Sequence, residues 1–172
     1  MIINASPLII FGKLNKLNIL IRLFKRVEIS HVVYNEVVVK GGELRDALIV
    51  KEHIKKGHIE VIKLDDEHYK LAEKIQLIFS IDLGEAETIA LALQLKYKDA
   101  IIDEISAREA AKSLNVRPIG TLGALLMAFK RKIVSENEIE NIIKDIMESK
   151  YRVGADVIIE FWSKLKELKE IR

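Results

Sequence analysis

Apolar residues fall in two rhythms along this chain: short unbroken runs, and longer stretches with apolar positions three and four apart. The first rhythm suits buried strands and the second amphipathic helices. Met1-Ile2-Ile3 is the first run. Ser6 then offers a helix cap and Pro7 a first helical position, with Leu8, Ile9, Phe11 and Leu14 facing inward. A second helix is predicted over 15–24 and a strand over 27–29, ending at Ser30. Over 31–40 the valines at 32, 33, 37, 38 and 39 favour a strand by propensity. Ser30 before that segment, Gly41-Gly42 after it and the pairs Val33/Val37 and Tyr34/Val38 favour a helix, which is the prediction adopted. Further helices are predicted over 43–56, 67–79 (capped by Asp65 or Asp66), 84–96, 106–114, 122–132, 136–148 and 155–169. Further strands are predicted over 59–62, 100–102 and 116–119, and Pro118 marks the last as an edge strand. This alternation implies an α/β fold around a mostly parallel sheet of about five short strands.

Such a sheet brings strand C-termini and helix N-termini to one crevice. Four positions fall there: Asn4 after the first strand, Glu36 in the third helix, Glu87 (or Glu85) at the start of the 84–96 helix, and Asp103 (or Glu104) after the fourth strand. Carboxylates gathered in one place repel, and a divalent metal is the commonest positive partner. Each residue also has a plain structural reading. Glu36 suits an exposed helix face. Glu85 and Glu87 complement a helix dipole. Asp103-Glu104 suits a helix cap, Asn4 a turn, and Ser6 a cap rather than a nucleophile.

Composition narrows the chemistry. With 49% apolar and 31% charged residues the chain is globular rather than disordered, and its 172 residues suit one domain with a helical extension. The absence of Cys excludes disulfides, thiolate nucleophiles and Cys-ligated metals. His31, His53, His58 and His68 contain no i, i+4 pair of the kind that holds zinc. No glycine-rich phosphate loop follows the first strand, which disfavours dinucleotide binding and nucleotide hydrolysis. A net charge of +2 does not by itself mark a nucleic-acid binder; Lys25-Arg26, Lys55-Lys56 and Lys130-Arg131-Lys132 are local phosphate candidates or solvated helix ends. No signal-peptide pattern opens the chain, and no apolar run approaches the roughly 18 residues of a membrane span, so the expectation is a cytoplasmic protein.

Taken in order, Ile2-Ile3-Asn4-Ala5-Ser6-Pro7, Val33-Tyr34-Asn35-Glu36-Val37, Leu83-Gly84-Glu85-Ala86-Glu87-Thr88-Ile89-Ala90-Leu91-Ala92, Ile101-Ile102-Asp103-Glu104 with Arg108, and Ile119-Gly120-Thr121-Leu122-Gly123 resemble the PIN-domain nucleases. The last motif fits a prokaryotic branch of predicted nucleic-acid-binding proteins, similar to the toxin ribonucleases of toxin–antitoxin pairs. The resemblance covers residues 1–132, with 133–172 as a C-terminal helical extension on the same domain. It implies a three-layer α/β/α fold and a Mg²⁺- or Mn²⁺-dependent endoribonuclease. It places the catalytic set on Asn4, Glu36, Glu87 and Asp103, and the metal on Asn4, Glu87, Asp103 and Glu104. Ser6 and Glu85 stand behind these, and Arg108 and Thr121 are substrate contacts.

Asn4 departs from the family's usual aspartate; its amide oxygen can coordinate a hard cation but brings no charge. A second reading therefore stands beside the first: a weak or inactive PIN-like module that binds RNA or a partner. RNA is the expected substrate and an antitoxin protein the expected partner. Val157, Ile158, Phe161, Trp162 and Leu165 form an apolar helical stripe that suits packing on its own domain, homodimerisation or an antitoxin.

Overall fold

A computed structural model describes residues 1–149 and 151–171. Five short strands, β1 (Ile2–Ile3), β2 (Val27–Ser30), β3 (Ile59–Ile62), β4 (Asp99–Ile101) and β5 (Arg117–Ile119), form one sheet in the order β3-β2-β1-β4-β5, and every pairing is parallel. The chain winds outward from β1 to β3, then returns to pair β4 on the other side of β1. The strand order thus reverses between β1 and β4, the point where open α/β sheets form their crevice. β5 is an edge strand, which accommodates Pro118 without a lost ladder bond.

The alternation of side chains along each strand sorts the core into two layers. Ile3, Ile29 and Ile101 face α1 (Ala5–Lys13), α2 (Leu17–Phe24) and α4 (Arg45–Lys55), together with α8 (Thr121–Lys130), α9 (Glu136–Glu148) and α10 (Ala155–Ile171). Ile2, Ala100 and Ile102 face α5 (Asp66–Phe79), α6 (Leu83–Gln94) and α7 (Ile105–Ser113). The result is a three-layer α/β/α fold. The stripe on α10 divides: Phe161 and Leu165 are buried in the first core and Ile158 packs against it, whereas Val157 and Trp162 are exposed. Among the described residues no helix is long and apolar enough to cross a membrane.

The segment 31–40 is helical despite its valines, and the manner is informative. Ser30 caps α3 (His31–Tyr34) by accepting the Val33 N–H at 3.2 Å. The helix then widens into a π-helical turn, Asn35–Val39, closed by the Lys40 N–H on the Asn35 carbonyl at 2.9 Å. Such widened turns occur mostly as single insertions, often at functional sites, and Glu36 sits in this one.

Helix starts fall within two residues of the sequence expectation, and two of the differences bear on the site. Helix α1 begins at Ala5 with Asn4 in the cap position, so Ser6 is a helical residue rather than a cap. Pro7 tolerates the third helical position because no N–H of the first turn has an intrahelical partner. Helix α6 begins at Leu83, one residue early, because Asp82 and Glu85 form a reciprocal capping box.

Candidate functional site

Five helices, α1, α3, α6, α7 and α8, start at the C-terminal edge of the sheet. Their N-terminal N–H groups put partial positive charge there, which favours anions. A cleft of about 300 Å³ opens at this edge, lined by Asn4, Ser6, Glu36, Asp82, Glu85 and Glu104 among others. Four carboxylates face it, and none of the described residues lining it is basic.

The acids of this region are placed by local features of the helices that carry them. Helix α6 is buried along its length from Gly84 to Ala92, so both Glu85 and Glu87 are carried inside, at 6% and 5% exposure. Glu85 accepts the Asp82 N–H at 3.0 Å, while Asp82 accepts the Glu85 N–H at 2.7 Å. Gly84 keeps the neighbouring space open, since a Cβ there would lie 3.2 Å from Glu36 Oε2 and 3.3 Å from Asp82 Oδ1. Glu104 stands at the cap position of α7 without a side-chain cap bond.

The electrostatics record the crowding. Burial raises the Glu85 carboxyl to about 7, with repulsion from Asp82, Glu104 and Glu36 adding to it against the Asp82 N–H bond. Burial also raises Glu36, helped by Asp82 and opposed by Lys40.

Asn4, 4% exposed, makes no cap bond to α1. Its Oδ1 instead lies 3.3 Å from the Thr88 hydroxyl, which shares its one proton between Asn4 and the Gly84 carbonyl at 2.8 Å. The end of β1 is thereby tied to the first turns of α6.

Two of the expected acids do other work in this arrangement. Glu87 Oε2 accepts the Val32 N–H at 3.3 Å, satisfying an open donor at the start of α3, and Glu87 does not line the acidic cleft. Asp103 accepts the Thr121 N–H and the Thr121 hydroxyl, each at 2.7 Å, and also the Tyr151 hydroxyl. It supplies from outside the cap that Gly120 lacks, and a Cβ on Gly120 would lie 3.3 Å from Asp103 Oδ1. Arg108 donates to the Ile102 carbonyl at 2.8 Å beside the same turn. Tyr151 stays protonated, because burial and the Asp103 carboxylate both raise its phenol.

A family model described as a PIN domain matches residues 1–167. The chain belongs to the PIN-domain family. No curated protein matches it. PIN domains are generally nucleases and typically use divalent metals. The donor chemistry of this PIN domain's cleft suits a hard divalent cation: oxygen atoms only, excess negative charge, and two carboxyls raised by burial and by neighbouring acids. Among the described residues, however, no three acids or histidines stand close enough to share an ion as they are placed.

Asp82 was the acid that the sequence expectation passed over. The Asp82-Leu83-Gly84-Glu85 spacing of a capping box would have revealed it. Tyr151 has no such signal, because its role depends on a contact 48 residues away.

Proposed function

We propose that this PIN domain is a metal-dependent ribonuclease, with Asn4, Glu36, Glu85 and Glu104 as the oxygen donors to Mg²⁺ or Mn²⁺. The observation that supports this most is the meeting of these four residues, with Asp82, in one cleft at the switch point of the sheet. When bound, the ion supplies Lewis-acid activation of water and charge neutralisation at the attacked phosphodiester. Glu85, with its carboxyl near 7, is poised to hold or release a proton close to neutral pH in the metal-free chain. Ser6, on the cleft wall, offers a hydroxyl to orient a water, and Thr88 fixes the Asn4 amide oxygen. Glu87 and Asp103 act through the helices they cap, positioning α3 and α8. Arg108, beside Gly120, is a phosphate contact. In the same reading the domain acts as a toxin held in check by an antitoxin.

A second reading is an RNA-binding module without turnover, and the neutral Asn4 at the cleft favours it. The two separate in one assay. Cleavage of single-stranded RNA that needs Mg²⁺ or Mn²⁺, stops with chelator and disappears in Glu85→Gln supports the nuclease. Salt-sensitive RNA binding that ignores chelator, with no cleavage under either ion, overturns it in favour of the module.

A further inference from the structure

Beside the acidic cleft, and sharing Ser6 and Glu104 with it, lies a larger cavity of about 580 Å³. Its size falls among small-ligand pockets. One wall is the cap of α8, where Asp103, Gly120 and Thr121 meet. The opposite wall comes from the C-terminal part of the chain, from Tyr151 through the first turns of α10.

The lining has two characters. Leu122 and Phe161 are buried and apolar, at 6% and 2% exposure. Exposed side chains of both signs also contribute: Arg152, Asp156 and the ion pair in which Lys164 donates to Glu160. A polyanion running through the cavity would meet those carboxylates, and a purely apolar ligand would strand the charges. A flat ring carrying donors and acceptors, joined to a single phosphate, satisfies both. Tyr151 forms part of the wall, held by its hydroxyl on Asp103, so the wall is set before a ligand arrives.

We propose that this cavity is a subsite for one unpaired nucleotide of the RNA. The base lies against Leu122, Tyr151 and Phe161, and its phosphate is held by Arg152 and by Lys164, which exchanges its exposed ion pair with Glu160 for the phosphate. The inference rests on the ribonuclease reading, since the shared wall joins the cavity to the cleft assigned to the scissile phosphate. Unpaired bases are characteristically read by stacking and edge contacts in such pockets. The C-terminal helix is then part of substrate selection as well as of the core.

The test uses the full chain in chelator, so that it does not depend on cleavage. AMP, GMP, CMP and UMP are titrated while backbone amide resonances are followed, with ribose 5-phosphate as the control for the phosphate alone. The expected result is a saturable shift at Gly123, Val153 and Gly154 with at least one nucleotide and none with ribose 5-phosphate. Arg152→Ala combined with Lys164→Ala, both at exposed positions, should weaken that nucleotide by about fivefold to tenfold. No shift with any nucleotide, equal shifts with ribose 5-phosphate, or shifts confined to Lys130-Arg131-Lys132 overturns the subsite. In an RNA cleavage assay the same double variant should raise KM with kcat nearly unchanged, and an unchanged KM overturns it as well. Nucleotide binding without cleavage would remove the nuclease reading and keep the subsite; cleavage without these shifts would do the reverse.

Discussion

Thr121 donates both its backbone N–H and its hydroxyl to Asp103, each at 2.7 Å, and Tyr151 adds a third donor to the same carboxylate. Asp103 is thus the cap of a helix 18 residues away rather than a group open to the acidic cleft. Asp103→Ala should lower stability by about 2 kcal/mol, the loss of a helix cap and a charged hydrogen bond. Mn²⁺ affinity should change by less than about threefold. Urea denaturation and calorimetric titration check the pair of values. Lost Mn²⁺ binding at unchanged stability would make Asp103 a ligand after all.

Glu85 and Glu87 are two residues apart on α6 and should behave oppositely. Glu87→Ala removes the acceptor of the Val32 N–H and should cost about 1–2 kcal/mol with little effect on Mn²⁺. Glu85→Gln should weaken Mn²⁺ about tenfold or more. Calorimetry on both variants decides, and the reverse ordering would return the ligand role to Glu87.

The raised Glu85 carboxyl makes the metal-free chain sensitive to pH. Its value is about 7 when folded against 4.5 ordinarily, so the folded state binds the proton more tightly. That contribution to stability is fully present below 4.5 and is lost as pH rises through about 7. The melting temperature in chelator should therefore fall across this window, and Glu85→Gln should flatten the fall. Glu36, raised for the same reasons, contributes in the same direction. A melting temperature that climbs across the window in the parent chain would refute the crowding argument.

Asn4→Asp restores a charge at the end of β1. It should tighten Mn²⁺ by about fivefold to tenfold and lower the stability of the metal-free chain, since the new carboxylate joins an already acidic cleft. The hydrogen bond from Thr88 to the side-chain oxygen can persist in this variant. Unchanged Mn²⁺ affinity would mean that charge at this position does not limit binding.

The order of elements, the parallel sheet, the edge position of β5 and the identity of the acid-bearing segments were all readable from periodicity, caps and motif order. Those signals are local: a strand run, a serine before a helix and a glycine after it act within a few residues. The choice among neighbouring acids was not readable. Glu85 against Glu87, and Glu104 against Asp103, depends on which side chain meets the N-terminus of another helix. That is settled by contacts such as Glu87 with Val32, 55 residues apart, and Asp103 with Tyr151, 48 apart. The sequence alone determined that this chain would bring acids to the switch point of an α/β sheet. Only the tertiary packing decided which of them cap helices and which face the cleft, because every buried N–H at those helix starts must find an acceptor and the nearest carboxylate is taken for it.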